Sequence, residues 1–284
     1  MIMKSKELKT AQPQGVMNAK PLKIAIHYET VGRTDDFTHF SNVRTDIQFI
    51  ARNYFRNENY YRIDNKPVIV IYLTRVLSVS DLLCRFIWLM RKGAKDAGFP
   101  DIYIVGDQVF GPLTNFTDQK VQDINLLNAI TDYDVYGSIA KNGYARAMGV
   151  NKFYNDQMIW RNVAKLKGVG FIPIAAPGYN DRGVRDGHLP LSRKLNAMSD
   201  FGSLFDTMVK RAMNQLDQNA DHLLLINSFN EWHEDTQIEP VINANPTSLD
   251  TSFPNSKYTK GYAYEGYGLR YLDILREAVA SSEG

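Results

Sequence analysis

One cysteine serves the entire chain of 284 residues, so neither an intrachain disulfide nor a thiolate metal cluster is open to it. That residue, Cys84, falls in the apolar run 82–89 and reads as a small core residue of a helix. No stretch of about 18 apolar residues occurs, which excludes an ordinary transmembrane helix. The first nine residues carry no hydrophobic run after their lysines and do not read as a signal peptide, and the compartment stays open. Charge of one sign is also missing. The 33 Lys and Arg against 31 Asp and Glu leave a net +2 with the signs interspersed, which gives no electrostatic footprint for nucleic acid or an anionic membrane. There is no Gly-rich nucleotide-binding turn and no paired-aspartate metal motif, so no cofactor and no metal are expected.

What remains is an ordinary globular composition, 44% hydrophobic and 23% charged, long enough for one large domain spanning 1–284. Residues 1–20 read as a helix or a disordered lead-in. Six apolar, β-branched-rich segments predict strands at Leu22–Glu29, Val68–Arg75, Ile102–Asp107, Ala129–Tyr136, Gly170–Ala176 and Leu223–Phe229. Helical patterns lie between and after them, at 42–56, 79–97, 118–128, 147–167, 195–217 and 265–280. Strand alternating with helix predicts βαβ units and an α/β fold with one continuous parallel sheet. Right-handed crossovers then put every strand's carboxyl end on one rim. Those ends are polar or aromatic throughout: His27, Tyr28 and Glu29; Tyr72 and Arg75; Asp107 and Gln108; Tyr133, Asp134 and Tyr136; Tyr179, Asn180 and Asp181, followed by Arg182 and Arg185. A barrel-like site mouth is the simplest explanation. A closed (β/α)8 barrel needs eight units, however, and six are visible.

The sharpest transition is the sixth. Residues 223–240 read Leu-Leu-Leu-Ile-Asn-Ser-Phe-Asn-Glu-Trp-His-Glu-Asp-Thr-Gln-Ile-Glu-Pro, an apolar run that ends abruptly in carboxylates, an imidazole and an indole. Ligands bind at the carboxyl ends of strands in α/β folds, because the loops there vary without disturbing the core. Glu231 and Glu234 are therefore candidates for a paired acid/base site. Asn227, Asn230 and Gln237, with the Trp232 indole, supply amides and an aromatic plate of the kind that binds sugars. His233 reads as packing or an outer hydrogen bond, Trp232 as a core plug or a sugar plate, and Glu239 as a loop anchor or hydroxyl ligand.

The run Asn230 to Pro240 resembles the signature of glycoside hydrolase family 99, the endo-α-mannosidases and endo-α-mannanases, with their bacterial relatives. Pro177-Gly178-Tyr179-Asn180-Asp181 with Arg185 is similar to the family's Pro-Gly-Tyr loop. Leu22–Glu29 looks like its third barrel strand and Asp64–Tyr72 like the segment leading through its fourth. The resemblance implies a (β/α)8 TIM barrel of which the N-terminal units are missing here. It implies retention without a metal or a glycosyl-enzyme: the residue matching Glu231 deprotonates the mannose 2-hydroxyl, which attacks its own anomeric carbon. The residue matching Glu234 protonates the departing oxygen and then activates the water. The rim implies a glycan-binding set of His27, Tyr28, Glu29, Tyr72, Arg75, Asp107, Tyr136, Tyr179, Asp181, Arg185, Asn230, Trp232, His233, Gln237 and Glu239. The family has Gly where this chain has Asp235, a residue type that tolerates a left-handed turn better than most.

Two other readings stand beside this one: a polysaccharide-locus glycosyltransferase, and a truncated, non-catalytic glycan-binding remnant. With two strands missing, the first and sixth strands are expected to expose unpaired edges, which favour self-association and weak activity.

Overall fold

The computed structural model describes residues 22–30, 41–140, 146–185, 187–246 and 263–282. Its elements in chain order are β1 (Ile26–Tyr28), α1 (Ser41–Asn53), β2 (Arg62–Ile63), β3 (Lys66–Ile71), α2 (Thr74–Val79), α3 (Leu83–Asp96), β4 (Tyr103–Asp107), α4 (Gln119–Gln122) and β5 (Ala129–Thr131). There follow α5 (Val135–Ala140), α6 (Arg146–Leu166), β6 (Gly170–Phe171), β7 (Ile174–Ala175), α7 (Ser203–Met213), β8 (Leu225–Ile226) and α8 (Arg270–Ser282). All six expected strand segments are present, each shorter than its apolar run. The expected lead-in at 1–20 lies outside the described residues. No described helix is long and apolar enough to cross a membrane.

The strands pair in parallel in chain order, β1-β3-β4-β5-β6, with β2 added as a short antiparallel hairpin on β3. The expected continuous sheet divides at one point. Pro173 has no amide hydrogen to donate, and the segment 170–175 changes partner there. Ile172 N–H still donates to Ile130 O, whereas Leu225 and Asn227 N–H donate to Pro173 O and Ala175 O. β7 and β8 thus form a separate two-stranded ladder joined to the main sheet through one stretch of chain.

Apolar side chains on both alternations are buried on both faces, as parallel strands under helices require. Ile69, Ile71, Ile104, Ile130 and Phe171 face the helices. Val68, Tyr103, Val105, Ala129 and Ile172 pack on the inner side with Leu223 and Leu225. Burial falls off toward the two ends of the strand order. Every residue of β4 is buried, but β8 is only half-buried, and Leu22 and Ile24 before β1 are exposed.

The same alternation corrects one expected site residue. His27 pairs with Val70 and Tyr28 with Ile71, so they point to opposite faces. Tyr28 goes to the helix side, where its ring meets Phe86 edge-on and its hydroxyl donates to Asp46 at 2.7 Å. It supports the outer layer and does not reach the rim.

Helix boundaries shift where the backbone needs a left-handed residue. The expected 79–97 helix starts only after Asp81, with φ 57°, as α3, and the short α2 precedes that break at the end of the expected second strand. The C-terminal helices start late, α7 directly after Gly202 at φ 85° and α8 two residues after Gly268 at φ 56°. Gly93 on α3 lets α1 approach closely: a Cβ there would lie 2.5 Å from Arg44 O and 3.1 Å from Ile47 Cβ. Alanine raises helix propensity by about 1 kcal/mol over glycine, but overpacking against an unyielding backbone costs about 1–3 kcal/mol. Gly93→Ala is therefore expected to lower stability by about 1 kcal/mol net in urea titration; a gain would mean that α1 is free to move away.

Candidate active site

Two loops build the site, one following β7 and the other following β8. The first is pinned by a two-way backbone pair, Tyr179 N–H to Leu191 O at 2.9 Å and Leu191 N–H to Tyr179 O at 2.8 Å. Gly178 is required at its start, because a Cβ there would strike Leu191 O at 2.9 Å and Arg193 Cγ at 2.8 Å. The second loop closes on itself. Ser228 N–H donates to Thr236 O, Thr236 N–H to Glu231 O, and Ile238 N–H to Phe229 O. Inside that closure Trp232–Glu234 form one 3₁₀ turn. The Glu231 carboxylate caps the turn by accepting His233 N–H at 3.1 Å, and Asp235 ends it in the left-handed region at φ 50°, ψ 39°. Aspartate thus accommodates the conformation that a glycine would otherwise supply.

The loops meet over a cleft of about 260 Å³ lined by Tyr72, Tyr133, Asp134, Tyr136, Tyr179, Arg185, His188, Asn227 and Glu234. Asn180 N–H donates to Glu234 O at 2.8 Å and joins the two loops through their backbones. Beneath the cleft, the wholly buried Asp181 carboxylate accepts from Tyr179 Oη at 2.9 Å and Arg185 Nη1 at 2.9 Å, and lies 2.9 Å from His188 Nδ1. Arg185 Nη1 also reaches Glu234 Oε1 at 3.2 Å. Tyr179 stacks on Tyr136 with ring centres 4.0 Å apart, and the Tyr136 hydroxyl donates to Leu189 O. On the opposite wall Tyr133 stacks on His27 at 5.1 Å and meets Tyr72 edge-on at 5.0 Å.

These surroundings act on the titratable groups. Burial raises the Glu234 pKa above the usual carboxylate value; Arg185 opposes the rise, and the nearby Glu231 and Asp181 charges add to it. Burial also pushes Tyr72 up to about 12. Tyr133 rises for the same reason, reinforced by Glu234, Tyr72 and Glu231. His27, desolvated against its aromatic neighbours, is held below its ordinary value although Glu29 pulls the other way.

The expected residues therefore separate into three groups. Tyr72, Tyr136, Tyr179, Arg185 and Glu234 line the cleft, and His27 reaches it through Tyr133. His27 and Glu234 thus belong to the same end of the sheet. Glu231, Trp232 and His233 stand exposed on the second loop, with Asn230 before them and Glu239 beyond, and the Glu231 charge acts on both Glu234 and Tyr133. His233 is not packed: its ring is exposed, with Nδ1 3.5 Å from Glu231 Oε1. Trp232 is no core plug either, being 65% exposed. Its Nε1–H donates to Glu239, which makes Glu239 the anchor that fixes the indole.

The third group is framework. Asp107 is buried in an ion pair with Arg75 and accepts the N–H groups of Leu73 and Tyr133, so it positions Tyr133 from below. Asp181 is equally inaccessible. Gln237 is buried, donating to Asp235 and to the Tyr264 hydroxyl. Direct glycan contact by Asp107, Asp181 and Gln237 is corrected accordingly. Four of the named cleft residues lie outside the expected ligand set, Tyr133, Asp134, His188 and Asn227. Tyr133 carries a signal, its place at the end of the fourth strand; His188 sits in irregular chain and carries none. Among the described residues no three His, Cys, Asp or Glu side chains gather as a metal site would require.

Residues 15–260 match the family model described as Glycosyl hydrolase family 99. The chain belongs to that family. Relatives within and around it include the glycoprotein endo-alpha-1,2-mannosidases of Rattus norvegicus, 23% identical over 81% of this chain and 46% of that protein, and of Mus musculus, 25% identical over the same shares. An uncharacterized protein, WxcX of Xanthomonas campestris, is 25% identical over 73% of this chain and 29% of its own length. The chain spans about half the length of the curated mannosidases it matches. Among solved structures, the family 99 endo-alpha-mannosidase from Bacteroides thetaiotaomicron in complex with bis-tris-propane is similar, with TM-score 0.58 and 22% identity over 92% of this chain and 72% of that one. That likeness fixes the fold as the TIM-barrel type of the family.

The framework assignment is testable. Asp107→Ala leaves the Arg75 guanidinium, with 12% of its side chain exposed, with only the longer 3.9 Å pair to Asp134. Breaking a buried pair on one side costs about 3–5 kcal/mol, and that loss is expected in urea unfolding. A loss well under 1 kcal/mol would mean that the pair does not hold the fourth strand's end in place.

Proposed function

We propose that this protein is a glycoside hydrolase that cleaves α-linked, mannose-type glycans with retention of configuration. Glu234 carries the reading. It is the family-motif carboxyl that lines the cleft, and its burial raises its pKa, the direction a general acid requires. Glu231, three residues earlier and more exposed, is the base.

The reaction then runs in two balanced steps. Glu231 accepts the proton of the sugar 2-hydroxyl while O2 forms a bond to C1. The C1 bond to the leaving oxygen breaks as Glu234 gives that oxygen its proton, and a 1,2-anhydro sugar results. In the second step Glu234, now a carboxylate, takes a proton from water as the water oxygen attacks C1. The C1–O2 bond opens, and Glu231 returns its proton to O2. Two inversions at C1 give net retention. Both carboxyls act on atoms of the substrate, so neither must stand as a nucleophile across the ring from the other, unlike the usual retaining pair about 5–5.5 Å apart. A single loop can then hold both.

Within this reading the exposed Trp232 indole, anchored by Glu239, is a sugar plate at the lip of the cleft. The Tyr136–Tyr179 stack is an aromatic wall, and His27, Glu29, Tyr72, Arg185, Asn230 and His233 are the polar contacts to the glycan.

Glu234→Gln is expected to lower turnover of an ordinary α-mannoside by about 10²–10⁴-fold, and that of a substrate with an activated phenol or fluoride leaving group far less. Equal losses on both would reject Glu234 as the acid, and dependence on a nucleotide sugar would identify a transferase instead. Arg185 favours the ionised form of Glu234, so Arg185→Met is expected to raise the Glu234 pKa further. The alkaline limb of the kcat/KM profile, where the acid loses its proton, then moves to higher pH. A shift to lower pH would place the limb on another group.

A further inference from the structure

His188 belongs to none of the motifs and takes no part in the two steps above, yet it stands in the cleft wall with Glu234. Its place is set by Asp181. Nδ1 lies 2.9 Å from Asp181 Oδ2 and 3.1 Å from Oδ1, and that carboxylate has no exposed side-chain surface. A carboxylate only accepts hydrogen bonds, so the hydrogen between the two groups is carried by Nδ1. In a neutral imidazole the other nitrogen then has none. Nε2 is thus a bare lone pair without a hydrogen-bond partner among the described residues, on a side chain that is 44% exposed.

We propose that His188 Nε2 accepts a hydrogen bond from a free hydroxyl of the sugar held in the cleft, and makes the site selective for a sugar unsubstituted at that hydroxyl. The proposal rests on the glycosidase reading for the identity of the ligand. Three observations carry it. First, much of the polar wall is already committed. The Tyr136 and Tyr179 hydroxyls donate to Leu189 O and Asp181, Asn227 Nδ2 donates to Tyr133 O, and Asp134 accepts Gly137 N–H. Arg185 has only hydrogens to give. Nε2 is uncommitted.

Second, the ring is oriented before any ligand arrives. Asp181 holds one edge, and one face lies toward Tyr136 with ring centres 5.9 Å apart and planes at 28°. Tyr136 is itself fixed by its stack on Tyr179. A side chain ordered in advance loses little entropy on binding.

Third, the imidazole is tied to the acid. The Asp181 oxygen that meets Nδ1 also accepts from Arg185 Nη1, and the same nitrogen reaches Glu234 Oε1 at 3.2 Å. The consequence is chemical selection. A hydroxyl satisfies the lone pair, whereas an ether or ester oxygen sets its own lone pairs against it and leaves both unpaired. Sites built to bond a substrate hydroxyl discriminate strongly against analogues that lack it.

The test uses the intact chain with α-linked mannobiose and a panel of mannobioses, each with one hydroxyl removed or methylated, following dissociation constants by calorimetry and, separately, kcat/KM. Among the losses that wild type shows across the panel, one of about 5–10-fold is expected to belong to His188, the worth of a single hydrogen bond. Methylation at that position is expected to cost at least as much as removal. His188→Phe keeps a flat ring beside Tyr136 and leaves Asp181 its Tyr179 and Arg185 donors. In that variant the parent is expected to fall to the level of the one analogue, and that analogue to behave as it does with wild type. A residue that merely braced the loop would weaken parent and every analogue alike, and this result, or a pattern that the variant leaves intact, would overturn the proposal. Nitrogen-15 spectra of wild type supply a readout that needs no variant: at a pH where imidazoles are neutral, the His188 ring is expected to carry its hydrogen on Nδ1, with the Nε2 signal moving when mannobiose is added. A hydrogen on Nε2, or an Nε2 signal that saturating mannobiose leaves in place, would overturn it as well. Cleavage of the panel with no loss traceable to His188 would remove the acceptor and leave the hydrolase reading standing. Binding with the expected pattern in a protein that cleaves none of the panel would uphold the acceptor and overturn the hydrolase reading, and a protein that neither binds nor cleaves mannobiose would overturn both.

Discussion

The site depends on one buried carboxylate. Asp181 has no exposed side-chain surface, and such a group is stable inside a protein only when its oxygens are well supplied with donors. Tyr179, Arg185 and His188 converge on it, and in converging they become the floor and wall of the cleft. Arg185, held on one side by Asp181, presents the same nitrogen to Glu234 on the other. The acid of one loop is thereby located by the buried acid of another. The two loops are also bonded through Asn180 N–H and Glu234 O, so a displacement of either is felt by both.

The sheet supplies what lies below. Parallel strands with apolar residues on both alternations commit both faces to burial and leave only the strand ends for chemistry. Asp107 and Arg75 brace two of those ends, and the brace continues through the Tyr133 amide to the aromatic group of Tyr133, His27 and Tyr72. Burial is what raises the Glu234 pKa despite the nearby guanidinium. The carboxyl is placed where desolvation outweighs its cationic neighbour, and this is the balance a general acid needs.

Much of this was legible in the residues. Six apolar segments marked six strands, and the abrupt change from Leu223–Ile226 to Glu231–Glu234 marked the rim. What composition alone could not supply was direction. Tyr28 and His27 are adjacent and both suited to a sugar site, but the pleat sends only one of them inward. Asp107 and Asp181 have the right chemistry at the right end of a strand, yet their local donors draw them beneath the surface. His188 was invisible for the opposite reason: its position is set by Asp181, seven residues earlier, and by no periodic pattern. The division of the sheet at Pro173 follows from its missing N–H, but which neighbour takes over the pairing is a tertiary matter.

The central claim is that two acids on one loop act through the sugar's own 2-hydroxyl, and the most direct measurement compares hydrolysis of an α-mannoside with that of its 2-deoxy analogue bearing the same leaving group. An analogue without O2 has nothing for Glu231 to deprotonate and no atom to close on C1, so the account predicts that it binds but is not cleaved. Cleavage of the 2-deoxy substrate at a rate equal to or above that of the parent would contradict it, and would require a nucleophile supplied by the protein or by water.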